Sequence, residues 1–128
     1  MILTEEQLAE KCAEWQETLK LQDWEIAISK AHPHQFELKD NQGECSWVLK
    51  KKMALIKILH EDDYPDTPFK QDMEETLVHE LLHLHYAPFD ETKSGSLEEI
   101  ALEQSIHLIS KALVKLKRGG GSDGQESN

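Results

Sequence analysis

Glu74-Glu75-Thr76-Leu77-Val78-His79-Glu80-Leu81-Leu82-His83-Leu84-His85-Tyr86 is the stretch on which the reading of this chain turns. On an α-helix, residues four apart lie one turn above another on the same face, so His79 and His83 project side by side. Met73, Leu77, Leu81 and Leu84 form one apolar stripe, widened by Val78 and Leu82, whereas Thr76, His79, His83 and Tyr86 fall on another face. A core face is thus supplied without the histidines. Two imidazoles at this spacing clasp one zinc ion, and Glu80 beside them lies close enough to take a proton from water. Two histidines, a glutamate and two free positions arise by chance in roughly one chain in twenty of this length and composition, so the flanking sequence carries the decision.

Beyond the motif, Pro88 closes the helix and Phe89 to Gly95 make a short return. Ser96-Leu97-Glu98-Glu99 reads as a capping box in which Ser96 caps and Glu99 reaches back to its amide. A final helix runs to about Lys117, with Leu97, Ile100, Ala101, Ile106, Leu108, Ile109, Ala112, Leu113 and Leu116 expected to supply apolar contacts. A short loop brings this helix back antiparallel to the motif helix. A catalytic zinc takes three protein ligands and keeps one open position, so the third ligand is sought here. Glu103 is the choice: it stands mid-helix between Leu102 and Ile106, and coordination removes the cost of an unpaired carboxylate in an apolar setting. Glu99 is the alternative, although the capping box already accounts for it. His107, one turn after Glu103, is either a partner that orients a ligand or a plain interfacial histidine.

Before the motif, His60 to Asp66 is a polar connection, and Thr67-Pro68 is expected to supply the cap and first helical position. Cys45–Leu49 and Met53–Leu59 read as strands, with Lys50-Lys51-Lys52 as a hairpin tip or a charge-protected edge. Lys39-Asp40-Asn41-Gln42-Gly43 reads as a turn. Trp24, Ile26 and Ile28 alternate with polar or small residues, the period of a half-buried strand. In His32-Pro33-His34 the proline argues against a central strand, and two histidines without a nearby carboxylate or thiol read as a surface turn. Thr4 caps a helix predicted to reach about Leu21, with Leu8, Cys12, Trp15 and Leu19 at helical spacing. The pattern predicts an α+β fold: an N-terminal helix, a small three-stranded sheet, the motif helix and a C-terminal ligand helix. These fill one domain over residues 1–118, and residues 119–128, which carry no apolar side chain, are expected to be a disordered Gly/Ser-rich tail.

Over 128 residues the formal charge is -11, with 38% hydrophobic and 30% charged residues, which supports one compact domain and argues against nucleic-acid binding. Lys50-Lys51-Lys52 and Lys115, Lys117 and Arg118 read as solvated turn and helix-end charges. No apolar stretch approaches the length of a membrane span, and the acidic first residues do not suit a secretory signal. Cys12 and Cys45 are expected as free thiols in a reducing, cytoplasmic setting. The acidic surface is assigned to solubility rather than to a taste for basic substrates.

His79-Glu80-Leu81-Leu82-His83 with Glu103 on a following helix resembles the gluzincin metallopeptidases, in which an HExxH pair and a glutamate hold zinc. The order of elements resembles the upper half of the zincin fold. Small stand-alone members, the minigluzincins and the short metallopeptidases of phages and prophages, are the most similar in size, and Glu103-Gln104-Ser105-Ile106 with Ala112 to Arg118 suits the phage type. The resemblance implies Zn²⁺ on His79, His83 and Glu103, Glu80 as general base, and a peptide or protein substrate paired to an edge strand, for which Met53 to Leu59 is the expected candidate. It leaves the oxyanion group open among Tyr86, His60, Tyr64 and His107, because the chain is too short for the second subdomain of thermolysin-like enzymes. A zinc-binding regulatory or interaction domain with little or no hydrolysis is the rival expectation. A metal-free protein with an accidental motif is the third.

Overall fold

The computed structural model describes residues 1–38 and 41–119. Lys39 and Asp40 of the expected turn, and residues 120–128 of the expected tail, lie outside the described residues; Gly119 is the last residue of a helix. The order is α1 (Glu5–Thr18), β1 (Glu25–Ala31), β2 (Gly43–Val48), β3 (Met53–Leu59), α2 (Met73–Tyr86) and α3 (Leu97–Gly119), an α+β fold of three helices and a small mixed sheet. Among the described residues no helix is long and apolar enough to cross a membrane.

α1 starts where its cap predicts. The Thr4 hydroxyl accepts from the Gln7 amide at 3.1 Å, and the Gln7 side chain accepts from the Thr4 amide at 2.9 Å. It ends earlier than the periodicity suggests, because Lys20 turns to φ 64 and the Gln16 amide side chain donates to the carbonyls of Leu21 and Trp24. Leu8, Cys12 and Trp15 face the core.

The sheet order is β1-β3-β2, with β1 parallel and β2 antiparallel to β3. β3 is therefore central. Its Ala54, Ile56 and Ile58 are buried against the helices while Met53 and Leu55 face outward. This corrects the expectation that Met53 to Leu59 offers a free edge: both of its sides are already hydrogen-bonded, and β1 and β2 are the edge strands. The turn between β2 and β3 is a single 3₁₀ turn closed by Lys52 at φ 50.

α2 begins at Met73 and not at Pro68. Asp72 is the cap, its carboxylate accepting from the amides of Glu74 and Glu75 at 3.1 and 3.2 Å, while the Met73 amide donates to the Met1 carbonyl at 2.9 Å. Thr67 does bond the Phe69 amide at 3.0 Å, but that turn does not propagate into helix. The predicted stripe of Met73, Leu77, Leu81 and Leu84 is buried together with Val78 and Leu82. After Tyr86, Pro88 sits in a 3₁₀ turn that ends the helix.

α3 departs most from its sequence pattern. Only Ile106, Ser110 and Val114 are buried, with Leu102 and Leu113 packed partly against the core. Leu97, Ile100, Ala101, Leu108, Ile109, Ala112 and Leu116 are exposed, contrary to expectation, because α3 lies along one flank of α2 and, among the described residues, no layer covers its other side. Ser96 caps Glu99 as predicted, but the Glu99 carboxylate takes the amide of Gly95 at 2.6 Å rather than that of Ser96.

The end of α3 is latched to the start of α2. Arg118 donates to both Asp72 oxygens at 2.7 and 2.9 Å and to Glu74 at 3.0 Å. Glu74, 2% exposed, also takes the indole N–H of Trp15 at 2.8 Å. Lys117 bonds Glu14 at 2.9 Å and lies over the Trp15 ring. These cations, expected as solvated helix-end charges, have partners on both other helices. Burial opposes ionisation of Glu74, yet hydrogen bonds from Trp15 and Arg118 and the charges of Lys11 and Arg118 hold its carboxyl below the ordinary value. A pair buried this deeply is costly to break from one side.

Candidate metal centre

His79 and His83 leave α2 one turn apart, their ring centroids 5.3 Å from each other. The latch and the buried stripe of α3 set Glu103 opposite them. Glu103 Oε1 lies 3.1 Å from His79 Nε2, and Oε2 lies 2.9 Å from His83 Nε2. One ligand atom from each of the three residues lies within 4.8 Å of the others. Ligand atoms around a tetrahedral zinc with bonds of about 2.0–2.1 Å stand roughly 3.3 Å apart, so little movement separates this arrangement from a closed metal clasp. Two imidazole nitrogens and a carboxylate oxygen suit zinc and other borderline divalent ions. The residues fit the group.

The reason given for Glu103 in the sequence does not hold in full. Its side chain is 46% exposed on the wall of an open groove, not sunk among apolar neighbours. What sets its state is contact: hydrogen bonds with His79 and His83 hold its carboxyl far below the usual carboxylate range. Glu99 lines the same groove, but its carboxylate is engaged by the Gly95 amide. His107 is exposed and stands edge-on to His79, centroids 6.4 Å apart. His85, the remaining histidine of α2, is committed to the Leu19 carbonyl at 2.7 Å.

Glu80 points to the sheet side of the groove and is only 7% exposed. Burial pushes its carboxyl up to about 7; the His79 charge works against this rise, and the Glu103 and Glu44 charges add to it. β2 passes so close that a Cβ built on Gly43 would lie 2.5 Å from the Thr76 methyl and 2.9 Å from Glu80 Oε2. A glycine is needed there for room, a signal visible in the sequence only as a turn residue. Cys45 stands beyond Gly43, and burial, with the Glu80 and Cys12 charges, pushes its thiol up; burial likewise raises Cys12 to about 11. Both cysteines are free thiols, and Cys45 lines the groove.

The groove has a volume of ≈ 1070 Å³ and runs from the edge strand, where Gly43, Glu44, Cys45 and Trp47 line it, across His79, Glu80 and His83 to Glu103 and His107. Of the four oxyanion candidates, Tyr64 and His107 line it, and the Tyr64 hydroxyl donates to the Phe69 carbonyl at 2.7 Å. Tyr86 is not part of the lining. His60 belongs to a separate cluster with His32 and Asp63.

Comparisons with protein-family models, with curated proteins and with solved structures find no significant match. Function is therefore read from the chemistry of the site.

Proposed function

We propose that the chain is a zinc-dependent peptidase of the gluzincin type on a minimal zincin-like fold, with His79, His83 and Glu103 as metal ligands and Glu80 as general base. The observation that carries this reading is the pairing of both histidine Nε2 atoms with the two oxygens of one glutamate, beside a buried glutamate in the same groove. A zinc ion held there supplies Lewis acidity toward a carbonyl oxygen and toward water. Glu80 takes the proton of the attacking water and returns it to the leaving amine. Burial raises this carboxyl to about 7 before any cation is bound, and a cation beside it would favour the ionised, proton-accepting form. β2, the edge strand that lines the groove, pairs with an extended peptide backbone, and a groove of ≈ 1070 Å³ accommodates several residues of it. His107, beside His79, is the best placed side chain to meet charge developing on the substrate carbonyl.

The test is metal content by mass spectrometry, wild type beside Glu103→Ala, followed by peptide hydrolysis by wild type and Glu80→Gln. The reading expects zinc in the wild type, about one ion fewer per chain in Glu103→Ala, and zinc without hydrolysis in Glu80→Gln. Equal zinc in Glu103→Ala would move the third ligand to another residue. Zinc in the wild type with no cleavage of any peptide in a mixed library would leave a metal-binding domain in place of an enzyme.

A further inference from the structure

A second group of ligating side chains lies away from this groove, and the parallel pairing of β1 with β3 creates it. Ala31 and Leu59, the last residues of these strands, are register partners. The next residue of each chain is a histidine, so His32 and His60 leave the sheet side by side, with the His60 amide donating to the Ala31 carbonyl at 2.9 Å. Their rings stack, centroids 4.8 Å apart and planes 21° from parallel. The single 3₁₀ turn Glu61–Asp63 then folds Asp63 back, placing its Oδ2 2.6 Å from His32 Nδ1. One ligand atom from each of the three lies within 4.8 Å of the others.

His32-Pro33-His34 has no carboxylate near it in the sequence; the structure supplies Asp63 from beyond the end of the paired strand. The cluster has a firm floor, since Ala31, Phe36 and Leu59 are buried beneath it with Tyr64 packed against them, a small core separate from the main one. The His60 ring is oriented by its Nδ1, which accepts the Asp62 amide at 3.1 Å, and the Glu61 and Asp62 carboxylates, 3.6 Å from the same atom, add negative charge beside the cluster. The ring of His34 lies parallel to that of His32 at 6.3 Å, a fourth donor close at hand. Part of the cluster is open, with His32 49% exposed, so an ion reaches it from solvent.

We propose that His32, His60 and Asp63 form a second divalent-metal site, selective for zinc-like ions over magnesium and calcium, that staples the ends of β1 and β3 together. Two nitrogen donors and one oxygen donor favour a borderline ion over hard cations, which seek oxygen. The site shares no residue with His79, His83 and Glu103, so the two stand or fall separately.

The experiment is equilibrium dialysis of the full chain against zinc, with bound metal measured by mass spectrometry and melting followed by circular dichroism. Wild type should bind two ions per chain. His79→Ala/His83→Ala should bind one, and should melt higher with zinc but not with magnesium. Adding His60→Gln and Asp63→Asn to that variant should abolish both the bound ion and the melting shift. Should His79→Ala/His83→Ala not fold, Glu103→Ala takes its place, and histidine ring signals of the wild type are followed by NMR during the titration. Zinc absent from a folded His79→Ala/His83→Ala variant, or one ion retained after His60→Gln and Asp63→Asn, would overturn the proposal. A wild type that binds a single ion, lost on His60→Gln, would uphold it and defeat the peptidase reading.

Discussion

Replacing Glu80 by glutamine should stabilise the metal-free protein, and only above the acid range. The Glu80 carboxyl is 7% exposed and rises from an ordinary 4.5 to about 7 on folding. Between those two values the folded chain holds a proton that the unfolded chain has released. Stability tied to this group is therefore fully present below 4.5 and is lost as pH rises through about 7. At about 1.4 kcal/mol for each pH unit, the loss reaches about 3 kcal/mol. Glutamine keeps the shape and has no charge to bury, so Glu80→Gln should match wild type near pH 4 and exceed it by about 3 kcal/mol near pH 8. In a chain of this size that difference corresponds to roughly 10 °C in melting temperature. The assay is urea unfolding of chelator-treated protein, followed by tryptophan fluorescence at a series of pH values. Groups common to both proteins cancel in the difference. Adding zinc should narrow the gap at pH 8, because a nearby cation offsets the cost of the ionised carboxylate. A difference that does not change with pH would refute the reasoning, since it would place Glu80 in water or give it a partner.

Arg118→Ala leaves Glu74 buried without its guanidinium and should cost about 3 kcal/mol in urea unfolding, the low end for a broken buried pair, because Lys11 and Lys117 remain 3.9 and 3.7 Å from it. In wild type, Arg118 and backbone hydrogen bonds outweigh burial at Asp72 and keep its carboxyl low, as Trp15 and Arg118 do at Glu74. The stability these two contribute is present above their ordinary values of 3.8 and 4.5 and is lost as pH falls through the depressed folded values, so Arg118→Ala should flatten the acid limb of the stability profile. Gly43→Ala should cost about 1–3 kcal/mol by overpacking against Thr76 and Glu80, and should lower peptide turnover more than zinc affinity, measured as kcat beside a zinc titration. Because Glu37, Glu44, Glu75, Asp90 and Glu99 line the groove against Lys70 and Lys111, peptides carrying lysine or arginine should be cleaved with higher kcat/KM than acidic ones, and salt should reduce the difference.

The sequence makes legible the elements whose signals are local. Helical spacing and the Thr4 cap mark α1, alternation marks β1, short apolar runs mark β2 and β3, and the HExxH spacing puts His79 and His83 on a face apart from the Leu77 and Leu81 stripe, because the period of each backbone conformation is written in consecutive residues. It also proposed Glu103, from loop length and chain direction, though the carboxylate is held by two histidines and not by apolar burial. Tertiary structure alone decided what depends on residues far apart in the chain. It made β3 central and β1 and β2 the edges, since strand order is a choice among pairings that no single strand encodes. It started α2 at Met73, with Asp72 as the cap, through contacts with Met1 and Arg118, and it turned Arg118 from a helix-end charge into the partner of Glu74. It left most apolar residues of α3 exposed, because periodicity shows which residues share a face and not whether anything covers that face. It brought His32, His60 and Asp63 together through the register of a parallel pair, a contact that exists only once the two strands have found each other.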